Sequence, residues 1–86
     1  MDSIEMNRKA VWTLQAWDPF NIGADGYDAE IADVVAYLHT IDHPSDLAKK
    51  IQEIYEHSFE RWIPLEECME ISYKLIALKY EMKCII

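Results

Sequence analysis

Two histidines and two aspartates near the middle of the chain are residue types that bind metal ions or transfer protons. His39 and His43 are four residues apart, with Asp42 and Asp46 close by. On a continuous helix, this spacing places two imidazoles on one face, where they can share a metal ion. Pro44 disfavours helical geometry at His43, so we expect a helix end to separate the two histidines. No Cys or Glu completes a zinc set at a suitable spacing, and we therefore assign no metal ligand.

The segment 17–26 contains acidic residues and both glycines of the chain, and it raises the question of calcium binding. An EF-hand loop needs oxygen ligands at positions 1, 3 and 5, Gly at position 6 and Glu at position 12. A count from Asp18 places apolar residues at positions 3 and 5, and a count from Asn21 places Gly at position 3. Neither count reaches a Glu at position 12. We expect instead a loop closed by glycine at positive φ and by Asp or Asn side-chain turns.

The candidate nucleophiles have no catalytic setting in the sequence. Cys68 lies within an apolar helical stripe, which is typical of a small buried side chain rather than a reactive thiolate. The serines at positions 3, 45, 58 and 72 belong to no elbow or triad-like pattern, and two glycines cannot form a phosphate-binding loop. We therefore predict no catalytic residue, no cofactor and no enzymatic activity. Cys68 and Cys84 are expected to be reduced thiols of a cytoplasmic protein.

The charge of the chain is strongly asymmetric. The net charge is −8, and the stretch 10–48 holds seven acidic residues and neither Lys nor Arg. Such a field disfavours nucleic acid and anionic lipid as partners and suits a basic protein. No apolar run approaches the ~18–20 residues of a membrane span. The acidic residues expected on a partner-binding surface are Asp28, Glu30, Asp33, Asp42 and Asp46.

Four amphipathic helices must position these side chains. The apolar spacing predicts helices at roughly 3–16, 26–41, 44–61 and 65–83, and no stretch alternates long enough to be a strand. Asp25 is the expected N-cap of the second helix. Pro44 and Pro64 suit the first turns of the third and fourth helices. Short connections favour antiparallel neighbours, so we predict an all-α fold, a compact four-helix, bundle-like single domain over 1–86. The residues expected in its core are Trp17, Ile31, Leu38, Ile51, Ile54, Leu75 and Leu78.

Two helices carry apolar residues outside a single stripe. Trp12 points away from the apolar face of the first helix and is a candidate contact residue. Its alternative role is to cover neighbouring Arg and Lys stems. The fourth helix carries one stripe that ends at Met82 and a second one of Met69, Tyr73, Ile76 and Tyr80. A helix with two apolar faces is either central or part of an oligomer contact. We expect a homodimer through this second face, unless Tyr73 and Tyr80 are buried within one chain.

The loop that begins Trp17-Asp18-Pro19-Phe20 and leads into Tyr27 and Ile31 resembles that of the YugE-like family. This is a family of small, uncharacterised helical proteins from Bacillus-type bacteria. The resemblance covers most of the chain and implies four helices and a cytoplasmic bacterial setting. It supplies no catalytic residue. Short loops of this type before a helix also occur in some bacterial toxin-immunity proteins, which is a looser similarity.

These observations favour a non-enzymatic protein–protein interaction module, regulatory or immunity-like, that binds a basic partner through its acidic surface. The alternative is a small metal-binding protein or hydrolase that uses His39, Asp42, His43 and Asp46.

Overall fold

Four α-helices and one 3₁₀ helix form the protein in a computed structural model, which describes residues 3–83. The side chains of Ser3, Ala24, Met82 and Lys83 lie outside that description, and so does Cys84. The helices are α1 (Ser3–Trp17), the 3₁₀ helix Ala24–Tyr27, α2 (Asp28–Leu38), α3 (Pro44–Phe59) and α4 (Leu65–Lys83). The described part of the chain contains no strand, and the all-α, four-helix prediction is confirmed.

The helices form an antiparallel ring in which α1 packs against α2 and α4, and α3 packs against the same two neighbours. His39, just after α2, bonds to Asn7 at the start of α1. Lys79, near the end of α4, donates to the carbonyl of Ile41 in the α2–α3 loop. These contacts place the start of α1, the α2–α3 loop and the end of α4 at one end of the bundle. The α1–α2 and α3–α4 loops lie at the other end.

The start of α2 differs from the predicted start. Asp25 lies inside the 3₁₀ helix, and Tyr27 occupies the N-cap position without a side-chain cap bond, so the predicted Asp25 N-cap is wrong. The sequence predicted an α-helix from about residue 26 and not the 3₁₀ turn that brings Tyr27 into the core. Pro44 opens α3 as predicted. Pro64 lies just before α4, where its carbonyl accepts the N–H of Cys68.

The third helix ends two residues earlier than predicted. Glu60 follows its last residue with φ 55°, in the left-handed region, and its N–H bonds to the carbonyl of Glu56. A left-handed residue after the last turn is a common way to end a helix. Here a Glu takes the position that Gly usually fills, so the sequence gives little warning of the end.

The core lies along the centre of the ring. Four of the seven predicted core residues, Ile31, Leu38, Ile51 and Leu75, are buried. Trp17, Ile54 and Leu78 are partly buried and pack against the core. The largest fully buried side chains, apart from these predicted residues, are Tyr27, Tyr55, Met6, Leu14, Leu47 and Ile63.

The fourth helix buries a single stripe of residues. The predicted division of its apolar residues into two separate faces is therefore wrong. Its buried residues are Cys68, Ile71, Ser72, Leu75, Ile76 and Lys79. Two residues of this stripe, Ser72 and Lys79, are polar, so a search for apolar spacing did not find them. Ile76 belongs to the core, whereas Tyr73 and Tyr80 are 59% and 51% exposed. The condition that would have excluded an oligomer contact, burial of both tyrosines within one chain, is not met. No helix in residues 3–83 is long and apolar enough to cross a membrane.

Candidate functional site

The His39–Asp46 segment is occupied by structural contacts. His39 Nε2 lies 2.8 Å from Asn7 Oδ1, and Asp42 Oδ1 lies 2.8 Å from the Lys79 ammonium. His39 follows the last residue of α2 and His43 is extended before α3, so both lie in the connection between the helices and no helix end separates them as predicted. The extended backbone of His43 before Pro44 is as expected. Over residues 3–83, no group of three or more His, Cys, Asp or Glu side chains is arranged to hold a metal ion. The described residues therefore give the metal-site alternative no support.

The loop between α1 and α2 is closed by the carboxylate of Asp18. Its Oδ1 accepts the N–H of Ile22 at 3.0 Å, and its Oδ2 accepts the N–H of Gly23 at 3.2 Å. The Tyr27 hydroxyl donates to Oδ1 at 2.6 Å and accepts the N–H of Phe20 at 3.0 Å. Gly23 has φ 96°, so the expected glycine turn is present. All of these bonds join residues 18–27, so the role of the Asp18 carboxylate is to stabilise the turn.

The hydrogen bonds and the burial around this loop shift two pKa values. The hydrogen bond from Tyr27 is the main reason that the pKa of Asp18 lies below its ordinary value, and the N–H groups of Ile22 and Gly23 add to it. Burial, followed by the hydrogen bond to Asp18, raises the pKa of Tyr27. Both shifts stabilise the charge states already present at neutral pH, so neither group is poised for proton transfer there.

An aromatic cluster anchors the loop on the core. The ring of Tyr27 lies 5.7 Å from that of Tyr55 and 5.5 Å from that of Phe59, and Trp17 meets Tyr55 edge-on at 5.4 Å. Burial raises the pKa of Tyr55 far above its usual value, and the nearby Glu30 carboxylate raises it further. The cluster therefore holds neutral phenols and serves packing.

Cys68 is fully buried, and burial raises the pKa of its thiol to about 11. A thiol with that pKa is protonated at neutral pH and is a poor nucleophile. This environment agrees with the role of a small core side chain expected from the sequence.

The predicted acidic surface residues do not form one patch. Asp28, Asp33 and Asp46 are exposed. Glu30 is only 9% exposed, so its expected place on an exposed acidic surface is wrong. It lies toward α3, where its charge acts on Tyr55. Asp42 is 55% exposed at its side chain, but its charge is paired with Lys79.

A groove between α2 and α3, hereafter the α2–α3 groove, brings three carboxylates together beside an exposed tyrosine. Its volume is about 500 Å³. Lys50 spans it, with its ammonium 4.8 Å from the centre of the Tyr37 ring and 3.7 Å from Glu53 Oε2. The lining residues are Asp33, Tyr37, Lys50, Glu53, Ile54, Glu56, His57 and Ser58.

Of the predicted acidic residues, only Asp33 lines the α2–α3 groove. Glu53, Glu56 and Tyr37 were missed, because the half of the chain after Lys49 is nearly neutral when its charges are summed. The available signal was spacing: Asp33 and Tyr37 are four apart on α2, and Glu53 and Glu56 are three apart on α3.

The predicted contact residue Trp12 is 71% exposed and lines a cleft of about 270 Å³ between α1 and α4. A third cleft, of about 360 Å³, lies at the loop end beside Arg61 and the exposed Trp62. The structure therefore places Trp12 in a different groove from Asp33. Tyr73 and Tyr80 line none of these three clefts.

Comparison with known families decides where the chain belongs. Residues 9–85 match the model of the domain of unknown function named DUF1871. The chain belongs to the DUF1871 family. The matched range contains the loop of Asp18, the α2–α3 groove and the cleft beside Trp12.

The relatives of this DUF1871-family chain support the same assignment. It is 34% identical over 84 residues to the "Uncharacterized protein YugE" of Bacillus subtilis (strain 168), and the match covers 98% of each chain. A crystal structure of a protein from Bacillus stearothermophilus matches with a TM-score of 0.87 and 36% identity, over 90% of this chain and 95% of that one. The YugE-like resemblance is therefore confirmed, and the four-helix fold is shared with a solved relative.

Proposed function

We propose that this DUF1871-family chain is a non-enzymatic, cytoplasmic interaction module, regulatory or immunity-like, that binds a basic segment of a protein partner. The observation that carries the proposal is the α2–α3 groove, with its carboxylates of Asp33, Glu53 and Glu56 around the exposed face of Tyr37. Carboxylates and an aromatic face are the two groups that bind Lys and Arg side chains best.

The position of Lys50 supports this choice of partner. Its ammonium already lies over the Tyr37 ring and near the Glu53 carboxylate, at 4.8 Å and 3.7 Å. The carboxylates of Asp33 and Glu56 line the same groove and are available to an arginine or lysine of a partner. Lys50 is also the one Lys or Arg among the groove's lining residues, so three acids leave the groove with unbalanced negative charge.

The groove has the form of a protein contact rather than of an active site. It is open along the helix pair, and it lacks a buried nucleophile or a closed pocket that would exclude water from a substrate. An extended or helical basic segment can lie along such a groove with several side chains in contact. We therefore propose that the partner's basic segment lies lengthwise in the groove, along the axes of α2 and α3.

Nuclear magnetic resonance titration with a short Arg- and Lys-rich peptide tests the proposal. We expect saturable amide shifts concentrated at Asp33, Tyr37, Glu53 and Glu56, with dissociation in the micromolar to millimolar range. Shifts spread evenly over all exposed acidic residues, without saturation, would show that the acidic residues only solvate the surface.

A pair of charge-matched variants sharpens this test. The groove variant D33N/E56Q and the control variant D28N/D46N each remove two exposed or partly exposed negative charges. We expect the groove variant to weaken peptide binding about tenfold or more and the control to weaken it about twofold, through the general field alone. Equal weakening by the two variants would contradict binding in the groove.

A further inference from the structure

Trp12 is exposed on the opposite side of the helix ring from the α2–α3 groove. Its indole borders the cleft of about 270 Å³ between α1 and α4, hereafter the α1–α4 cleft. The cleft is lined by Trp12, Thr13, Ala16, Trp17, Ile71 and Lys74. We propose that this cleft and its rim form the interface of a two-fold symmetric homodimer.

The charges along the rim are separated into an acidic end and a basic end. Arg8 and Lys9 lie one helical turn before Trp12 on α1, so they share its side of that helix. Glu67 and Glu70 lie two turns and one turn before Lys74 on α4.

Because α1 and α4 are antiparallel, the glutamates lie beside the end of α1 and the basic pair lies beside the later turns of α4. Over residues 3–83, no ion pair joins these four side chains to a partner within the chain. Both charged ends of the rim are therefore available to a second molecule.

A surface with this arrangement is complementary to a copy of itself. A two-fold axis perpendicular to the face and passing through the α1–α4 cleft, between the two helices, places Arg8 and Lys9 of each copy over Glu67 and Glu70 of the other. The same rotation brings the two exposed indoles toward each other's clefts. Two-fold contacts require this kind of self-complementary patch. An interface centre with tryptophan and a rim with opposite charges also agrees with the usual composition of protein contacts.

The size of the face predicts a weak dimer. Two neighbouring helices of this length present roughly 25 Å by 20 Å, which is less than the about 800 Å² per partner of a standard stable interface. We therefore expect a dimer that dissociates on dilution. Tyr73 lies one 100° step from Lys74, on the other flank of α4. The α1–α4 cleft is thus a different contact from the tyrosine face predicted from sequence, although both involve α4.

Sedimentation equilibrium over about 10 µM to 1 mM protein tests the proposal, because weak dimers dissociate in this range. The charge variants R8E/K9E and E67K/E70K should each be monomeric, since like charges then face each other at both ends. An equimolar mixture of the two should form a heterodimer, because the acidic rim of one meets the basic rim of the other. A monomeric wild type at about 1 mM, or a mixture that stays monomeric, would overturn the proposal.

Replacement of single tryptophans provides the matched control. Trp12→Ala should weaken dimerisation about tenfold or more, whereas Trp62→Ala, at an equally exposed tryptophan in the α3–α4 loop, should leave it unchanged. Both side chains are largely in solvent, so the helical circular dichroism of both variants should match that of the wild type. If Trp62→Ala abolishes dimerisation and Trp12→Ala does not, the interface lies at the loop end.

Discussion

At the scale of single residues, the Tyr27 hydroxyl joins the loop after α1 to the core. It accepts the Phe20 N–H and donates to the Asp18 carboxylate, and its ring is fully buried among Tyr55 and Phe59. The sequence predicted Trp17 in the core and a loop closed by glycine and by Asp or Asn side chains. The bond between Asp18 and the Tyr27 hydroxyl was not predicted, because it depends on the 3₁₀ turn that brings Tyr27 into the core.

Tyr27→Phe should lower the free energy of unfolding by about 1–2 kcal/mol, because the buried ring is kept but the Phe20 N–H loses its acceptor. Urea unfolding followed by circular dichroism measures the change. Tyr73→Phe is the control, since Tyr73 is exposed and no hydrogen bond joins its hydroxyl to another residue within 3–83. A Tyr27→Phe variant as stable as the wild type would show that water replaces the phenol in the loop.

The Asp18 carboxylate makes the same loop sensitive to acid. Its folded pKa lies below the ordinary value of 3.8, mainly because Tyr27 donates to it. A group with a lowered folded pKa contributes stability that is present above its unfolded pKa and is lost as the pH falls through the folded value. We expect the stability difference between wild type and Asp18→Asn to be constant from neutral pH down to about 5 and to shrink below about 4. A difference that persists unchanged at the lowest pH would assign the effect to packing.

At the scale of the elements, apolar spacing predicted the helices well where one face is buried. It succeeded for α2 and α3, in which Ile31, Leu38 and Ile51 are core residues. For α4 it predicted the bounds 65–83 correctly but not the buried face, which includes Ser72 and Lys79. The burial of Lys79 depends on its tertiary contacts with Ile41 and Asp42. The α2–α3 groove was not predicted, because a groove depends on which two helices become neighbours, and only Asp33 of its lining was among the predicted surface residues.

Leu38→Ala in α2 and Leu75→Ala in α4 should each lower the free energy of unfolding by about 2–5 kcal/mol, since both side chains are fully buried and leave a cavity. Chemical denaturation checks this. Leu65→Ala, at a 42% exposed position on α4, is the matched control and should cost well under half of that. A loss below about 1 kcal/mol at Leu38 or Leu75 would show that the core closes around the smaller side chain.

At the scale of the whole molecule, the negative charge acts on a partner at long range, whereas the α2–α3 groove and the α1–α4 cleft act only at contact. The net charge of −8 attracts any basic partner from a distance, whereas the α2–α3 groove acts only on contact. The proposed dimer uses the opposite helix pair, α1 and α4, so it leaves the groove open. The family match gives the fold, and these two surfaces are where a function of this chain is to be sought.

Binding kinetics of an Arg- and Lys-rich peptide separate the field from the groove. The variants D25N/D28N/D46N and D33N/E53Q/E56Q raise the net charge equally, so both should slow association to a similar extent. Only the second removes the contacting carboxylates, and it alone should speed dissociation, by about tenfold. Raising the salt concentration should slow association for all three proteins, because the screening length falls to about 8 Å near physiological ionic strength. Stopped-flow or surface-based kinetics give both rates, and equal dissociation rates for the two variants would leave the peptide held by the field alone.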